Sequence, residues 1–308
     1  MKIAVLTGGV GGAKLVLGLS RVVPASDMIA IVNTGDDFRH LGLHVSPDVD
    51  TLLYTLAGKA NAAQGWGREG ETWAFMSALR ELAGEDWFLL GDQDLALHVL
   101  RTAGLAAGET LSEITRRFAG AWGIGVEVLP MSNHLVMTEV ETDAGRIPFQ
   151  NYFVERRCAP SVHSIAFVGA DQALPAPGVV EAIRGADAVI IAPSNPFLSI
   201  DPILAVPGIR AALEATAAPV VAVSPIVCGQ AVKGPTAKLM GELGLEVANA
   251  AIVRHYEGLL DGLLVHEGDD VPESGIAVAR TDTMMSTLED KERVARAALG
   301  LAERIGRR

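Results

Sequence analysis

Ile3-Ala4-Val5-Leu6-Thr7-Gly8-Gly9-Val10-Gly11-Gly12-Ala13-Lys14 is the stretch that decides the fold. A short unbroken apolar run, Ile3 to Leu6, passes into a glycine-rich turn, and Ala13 to Leu19 then carries apolar residues at helical spacing. Strand, glycine turn and helix follow one another, and a second apolar run, Met28 to Val32, ends at Asn33-Thr34-Gly35-Asp36-Asp37. Unbroken apolar runs mark strands covered on both faces, as in a parallel sheet. Ala188–Ala192, preceded by a helix over Gly178–Arg184, and Val220–Val223 read the same way, and a further strand is expected around Ala250–Val253. Helices are expected at Thr236–Leu243 and Thr287–Ile305. Strand-like segments at Val126–Pro130, Leu135–Thr142 and Arg146–Val154 include a hairpin turning at Asp143-Ala144-Gly145. From Thr51 to about Gly120 clear strands are absent, and Thr72–Leu82, Leu95–Thr102 and Leu111–Phe118 show helical spacing. The expected fold is α/β, a doubly wound, Rossmann-like, mostly parallel sheet formed by residues 1–50 and 121–308, with a small, mostly helical inserted domain at 51–120. The loops at 7–14, 33–37 and 193–199 each follow a strand, and ligands of such sheets bind at the carboxyl ends of strands.

Composition narrows the function. The chain has 308 residues, 49% hydrophobic and 20% charged, which excludes general disorder. A net charge of −12 argues against a nucleic-acid surface spread over the whole protein. The two cysteines, Cys158 and Cys228, form neither a disulfide framework nor a zinc pattern, and Cys228 reads as a buried, inert thiol. The first apolar run is too short for a signal peptide, and no apolar stretch reaches the roughly 18 residues of a membrane helix. A cytoplasmic protein without a membrane partner is expected.

The glycine turn lets backbone approach an anion at a helix N-terminus. It is not a P-loop, because Leu15 follows Lys14, and Lys14 occupies the place of the third glycine of a dinucleotide fingerprint. Asp36, Asp37, Asp48 and Asp50 supply four carboxylates within fifteen positions. Two such oxygen ligands with substrate phosphates and waters suit Mg²⁺. Asp48 and Asp50 point the same way if the segment is extended, whereas Ser46-Pro47-Asp48 is also a good helix start. In Gly91-Asp92-Gln93-Asp94, Asp92 or Asp94 is a candidate cap for the helix that follows, and His98 and Arg101 share one face of it. Pro193-Ser194-Asn195-Pro196 and Ser199 offer short hydrogen-bonding groups suited to a base or phosphate, and Ser224–Gly229 and Lys233-Gly234-Pro235 look similar. Trp66, Trp73 and Trp87 fit a helical core better than a stacking platform. Arg307-Arg308 reads as a solvated terminus.

Taken in order, LTGGVGGAKLVLGL at 6–19, NTGDD at 33–37, SPDVDTLLYTLAG at 46–58, GDQDLALHVLRT at 91–102, PMSNHLVMTEVET at 130–142, FQNYFV at 149–154, PSNPFLSIDPIL at 193–204 and VSPIVCGQAVKGP at 223–235 resemble the phospholactate transferases of deazaflavin coenzyme biosynthesis, the CofD/FbiA family. The resemblance implies a Mg²⁺-dependent transfer of 2-phospho-L-lactate, or its phosphoenolpyruvate or 3-phosphoglycerate equivalent, from a guanosine-diphosphate-activated donor. The acceptor is the terminal ribityl hydroxyl of the deazaflavin Fo, and GMP leaves. Asp36 and Asp50 match the family's metal-binding aspartates by motif and are the expected catalytic and metal residues, with Asp48 a further metal candidate. Either of the first two also suits acceptance of the hydroxyl proton. Gly9, Gly11, Gly12, Lys14, Asn33, Asp37, His98 and Arg101 are the expected substrate contacts, and Ser194, Asn195 and Ser199 the nucleotide contacts. A homodimer is expected. Gln93 stands where the family more usually has Arg, and Asn133 where it commonly has Asp.

Two other classes compete. A related branch resembles nucleotide-sugar-binding regulators, and the glycine turn alone does not separate them from the transferases. A nicotinamide-dependent oxidoreductase is disfavoured by the missing third glycine and by Asn33 where an acidic residue should end the second strand.

Overall fold

The computed structural model describes residues 1–231, 235–271 and 275–306. Lys233, Gly234 and the Arg307-Arg308 pair lie outside the described residues. Seven parallel strands form one sheet: β1 (Ile3–Thr7), β2 (Met28–Val32), Glu127–Pro130, Ala188–Ile191, Val220–Val223, Gly262–His266 and Ala277–Thr281. Counted along the chain, they lie in the order 3-2-1-4-5-6-7. That is the doubly wound order, with the direction of winding reversing between β1 and Ala188–Ile191. Ile29 apart, the alanines, valines, leucines and isoleucines of the five inner strands are buried because helices cover both faces. One core joins α1 (Gly9–Val22) and the C-terminal helix Leu288–Ile305 to the sheet; the other lies under helices Val179–Gly185, Ile209–Ala215 and Asn249–His255. No single described helix is long and apolar enough to cross a membrane.

Several expectations need correction. The glycine turn is not a loop through residue 14: α1 begins at Gly9, so Val10 to Lys14 already lie in helix. Ala250–Val253 is not a strand but the middle of helix Asn249–His255. Four apolar residues fit either period, and Ala251 and Ile252 face the core. The strand expected to Val154 stops at Pro148, and Asn151–Glu155 turns helically. Phe149 and Tyr152, three apart, thereby enter one small core with Val140, Ile147 and Val162. The antiparallel hairpin pairs Met137–Thr142 with Gly145–Pro148 and turns where expected, and Val162–Val168 joins it as a third strand.

The segment 51–120 does not begin at a break. The line at residue 50 falls inside α2 (Pro47–Leu56), whose Val49, Leu52 and Leu53 pack in the main core with Leu97, Ile114 and Phe118. Only the stretch around helix Ala74–Glu81 builds a separate small cluster, where Met76 and Leu90 meet Val45 of the short hairpin Phe38–His40/Leu43–Val45. Trp66 is largely exposed, and Trp73 lines the edge of that cluster.

Candidate active site

Three strand ends converge beside the point where the winding reverses. Gly9 takes a φ of +63°, a left-handed conformation that favours glycine, and aims its N–H at Asp48 Oδ1, 2.7 Å away. The Gly8 N–H donates to Ser194 Oγ at 3.1 Å, and that hydroxyl donates to the Gly8 carbonyl at 2.8 Å. A Cβ on Gly12 would strike Thr7 Oγ1 and lie 2.6 Å from Ser194 Oγ; one on Gly11 would lie 2.7 Å from the Pro193 carbonyl. The glycines therefore let α1, the 193–199 loop and the N-terminus of α2 close on one another without side chains between them.

Asn33 sits at the centre. Its backbone follows β2, and its Oδ1 accepts the Gly35 N–H at 2.8 Å, an Asx turn that fixes the loop. Its Nδ2 lies within donating distance of Asp36 Oδ1 (3.1 Å), Asp48 Oδ2 (2.9 Å) and the Leu198 carbonyl (3.2 Å). Two amide hydrogens thus serve two buried carboxylates and a carbonyl. Burial, with the Asp48 charge beside it, holds Asp36 well above the usual carboxylate range. Burial likewise pushes Asp48 up to about 6, against the lowering effect of Asn33 and the Gly9 amide.

Asp50 faces another way. Pro47 and Asp48 open α2, so Asp48 and Asp50 lie two apart on a helix and diverge, contrary to the extended alternative. Both Asp50 oxygens are held by the Arg101 guanidinium: Nη1 donates to Oδ2 at 3.1 Å, and Nη2 to Oδ1. Arg101 is 1% exposed and also donates to the His44 carbonyl at 3.2 Å. Burial raises Asp50, although Arg101 and His98 oppose it. His98, also 1% exposed, has Nδ1 at 3.4 Å from Arg101 Nη1 and Nε2 at 3.2 Å from Asp94 Oδ2. Tyr54 donates its hydroxyl to Asp94 Oδ1. Burial would raise Asp94, but His98, Tyr54 and Arg101 outweigh it and hold this carboxyl low.

The structure thus brings Asp36 and Asp48 together through Asn33, and Asp50, His98 and Arg101 into a second cluster with Asp94 and Tyr54. The sequence reading does not place the latter two in the site: it gives Asp94 only a capping role and Tyr54 none, although Asp94 and His98, four apart, share one helix face. Neither Asp92 nor Asp94 caps helix Leu95–Ala106 through its side chain. Asp92 instead accepts the Ala74 and Phe75 N–H groups, capping helix Ala74–Glu81 across the loop. Asp37 Oδ2 accepts from Ser46 Oγ at 2.6 Å and lies 3.0 Å from His44 Nε2, while its Oδ1 is buried without a hydrogen-bond partner among the described residues. Lys14 donates to the Met285 carbonyl at 2.8 Å, bracing the C-terminal segment. Asn195 accepts the Phe197 and Leu198 N–H groups and donates to Thr236, and Ser199 is buried beside Gly8. Cys228 is exposed rather than buried, at the tip of the two-residue hairpin Ile226-Val227/Gln230-Ala231.

Against known proteins, the family model described as 2-phospho-L-lactate transferase CofD matches residues 3–303. This chain belongs to the CofD family. It is 45% identical over 316 residues to a phosphoenolpyruvate transferase of Streptomyces griseus, covering 99% of both chains, and 43% identical to one of Mycolicibacterium smegmatis, covering 98% of this chain and 99% of that one. A crystal structure of a UPF0052 family member from Bacillus halodurans shares the fold at a TM-score of 0.65 and 20% identity, covering 97% of this chain and 98% of that one.

The two departures from the CofD-family motifs have local structural roles. Gln93 donates to the Gly70 carbonyl at 2.7 Å. Asn133 Oδ1 accepts the Ser112 N–H at 2.9 Å and its hydroxyl at 2.8 Å, securing the first turn of helix Leu111–Ala121. The donor set of this CofD-family chain fits a hard divalent cation at Asp36 and Asp48, two carboxylates raised by their burial and held through one shared amide, Asn33. Asp50 fits less well here, since Arg101 already occupies both of its oxygens.

Proposed function

We propose that this CofD-family transferase moves a phosphoenolpyruvyl-type group, a phosphorylated three-carbon acid, from a guanosine-diphosphate-activated donor to the terminal ribityl hydroxyl of Fo. The observation that carries the reading is the buried Asp36–Asn33–Asp48 cluster at the strand ends of a chain that matches the family along nearly its whole length. The names of the relatives favour phosphoenolpyruvate over 2-phospho-L-lactate as the three-carbon acid.

In the proposed reaction the hydroxyl oxygen forms a bond to the phosphorus that bears the three-carbon acid. The bond from that phosphorus to the bridging oxygen breaks, and GMP leaves with that oxygen. Asp36 and Asp48 would hold Mg²⁺, which neutralises charge on the donor phosphates when bound. Asn33 orients both carboxylates. The Gly8 and Gly9 amides are taken up by Ser194 and Asp48, so it is the first turn of α1 beyond Gly9 that would offer backbone amide dipoles to a phosphate. Asp36, buried at the strand ends beside Asp48, also suits acceptance of the hydroxyl proton. Asp50 is pinned on Arg101 and is not free for that role in this arrangement. The test is Fo-dependent GMP release from guanosine-activated phosphoenolpyruvate. It is expected in the wild type and lost in Asp36→Asn; GMP release by Asp36→Asn at the wild-type rate would remove Asp36 from the chemistry.

A further inference from the structure

Glu71 lies outside every motif named above, in the loop before helix Ala74–Glu81. Its carboxylate reaches across to the next loop, where Oε2 accepts the Gln93 N–H at 2.7 Å and Oε1 accepts the Asp94 N–H at 3.0 Å. Gly91 makes room for it. A Cβ at Gly91 would strike Glu71 Cδ and lie 2.5 Å from Cγ.

Asp94 is therefore fixed at two points, its N–H by Glu71 and its Oδ1 by the Tyr54 hydroxyl, and its Oδ2 lies 3.2 Å from His98 Nε2, at ion-pair distance but without the alignment of a hydrogen bond. The chain of contacts sets the state of the imidazole. Arg101 Nη1, 3.4 Å from His98 Nδ1, can only donate and is nearer than Asp50 Oδ2 at 3.7 Å, which favours a bare Nδ1 and the ring hydrogen on Nε2, on the Asp94 side. The same guanidinium grips Asp50.

We infer that Glu71 is a positioning residue, which acts through Asp94 to set the His98 tautomer and with it the geometry of the Arg101–Asp50 pair at the edge of the active site. The inference rests on the transferase reading for its kinetic consequence only. Partners one step removed from ligand-bearing groups typically account for about 10- to 100-fold in affinity or activity.

The test compares wild type with Glu71→Gln, which replaces one acceptor by a donor, and with Gly91→Ala, which displaces the carboxylate while retaining it. Glu69→Gln, an exposed carboxylate two residues away, serves as control. Circular dichroism first establishes that each variant is folded. In protein labelled with ¹⁵N in histidine, and with the His98 signals assigned by their loss in His98→Asn, the wild type is expected to show one His98 tautomer with its hydrogen on Nε2. Glu71→Gln and Gly91→Ala should shift those signals toward mixed tautomers, while Glu69→Gln leaves them in place. In Fo-dependent GMP release, kcat should fall about 10-fold or more in both variants with KM within about two-fold of wild type. Unmoved His98 signals in both folded variants overturn the inference, leaving Glu71 a loop brace. So does an unchanged kcat where the wild type is active. A wild type with no turnover counts against the transferase reading, and the His98 spectra then decide the role of Glu71 by themselves.

Discussion

Lowering the pH should weaken binding of Mg²⁺ or Mn²⁺, because the proposed cation pair is one whose protons leave late. Asp48 is pushed up to about 6 by burial, and Asp36 is also raised. A cation binds the carboxylate, so protonation competes with it. With a pKa of about 6, Asp48 is roughly 97% ionised at pH 7.5 and about 9% at pH 5.0, which predicts about an 11-fold loss of affinity from this residue alone. Protonation of Asp36 in the same range makes the fall steeper, since the pair titrates together. Metal-free stability should run the other way. The folded-state pKa of Asp48 lies above its unfolded value, so its stabilising contribution is full below about pH 4 and lost as pH rises through about 6, roughly 3 kcal/mol in all. Saturating Mg²⁺ should cancel that loss. Isothermal titration calorimetry from pH 5.0 to 7.5 measures the affinity, urea melts with and without Mg²⁺ measure the stability, and Asp48→Asn should flatten both profiles. An affinity independent of pH over this range, or a Mg²⁺ effect undiminished in Asp48→Asn, would refute the assignment of the cation to Asp36 and Asp48.

Further outcomes follow from packing and charge. Gly12→Ala places a methyl group against Thr7 Oγ1 and Ser194 Oγ and should lower stability by about 1–3 kcal/mol in urea denaturation; a change below about 0.5 kcal/mol would mean that the 193–199 loop yields freely. Arg101→Met strands the buried Asp50 charge and should cost about 3–5 kcal/mol. Adding Asp50→Asn to that variant should restore part of the loss, and no recovery in the double variant would show that the guanidinium acts through packing alone.

Much of the sheet was legible because its central strands are covered on both faces. Ile3–Leu6, Met28–Val32 and Val220–Val223 carry no polar residue, so burial wrote them as unbroken runs. Ala277–Thr281 lies at the sheet edge, half-buried; its apolar run, Ile276 to Ala279, is as short as that of β1, but no glycine-rich turn and apolar helix follow it to mark a strand. The start of α1 was hidden by its own glycines. Their low helix propensity reads as a loop, yet contact with Ser194 and Asp48 holds Gly9 to Gly12 in the first turns of a helix. The acidic residues of the site were visible as a set, but not their grouping. Whether Asp48 joins Asp36 or Asp50 depends on α2 starting at Pro47, which turns the two side chains to different faces. Glu71 left no local signal at all, since its partners stand 22 and 23 residues further on and are backbone amides, which any residue type supplies.

The most direct test of the account incubates the folded protein with Mg²⁺, Fo and, in separate reactions, each guanosine-activated three-carbon acid, with mass spectrometry of the deazaflavin. The account predicts a Mg²⁺-dependent mass gain on Fo, largest with the phosphoenolpyruvate donor and matched by release of GMP. No mass gain with any donor, from protein shown to be folded and to bind the cation, would contradict it.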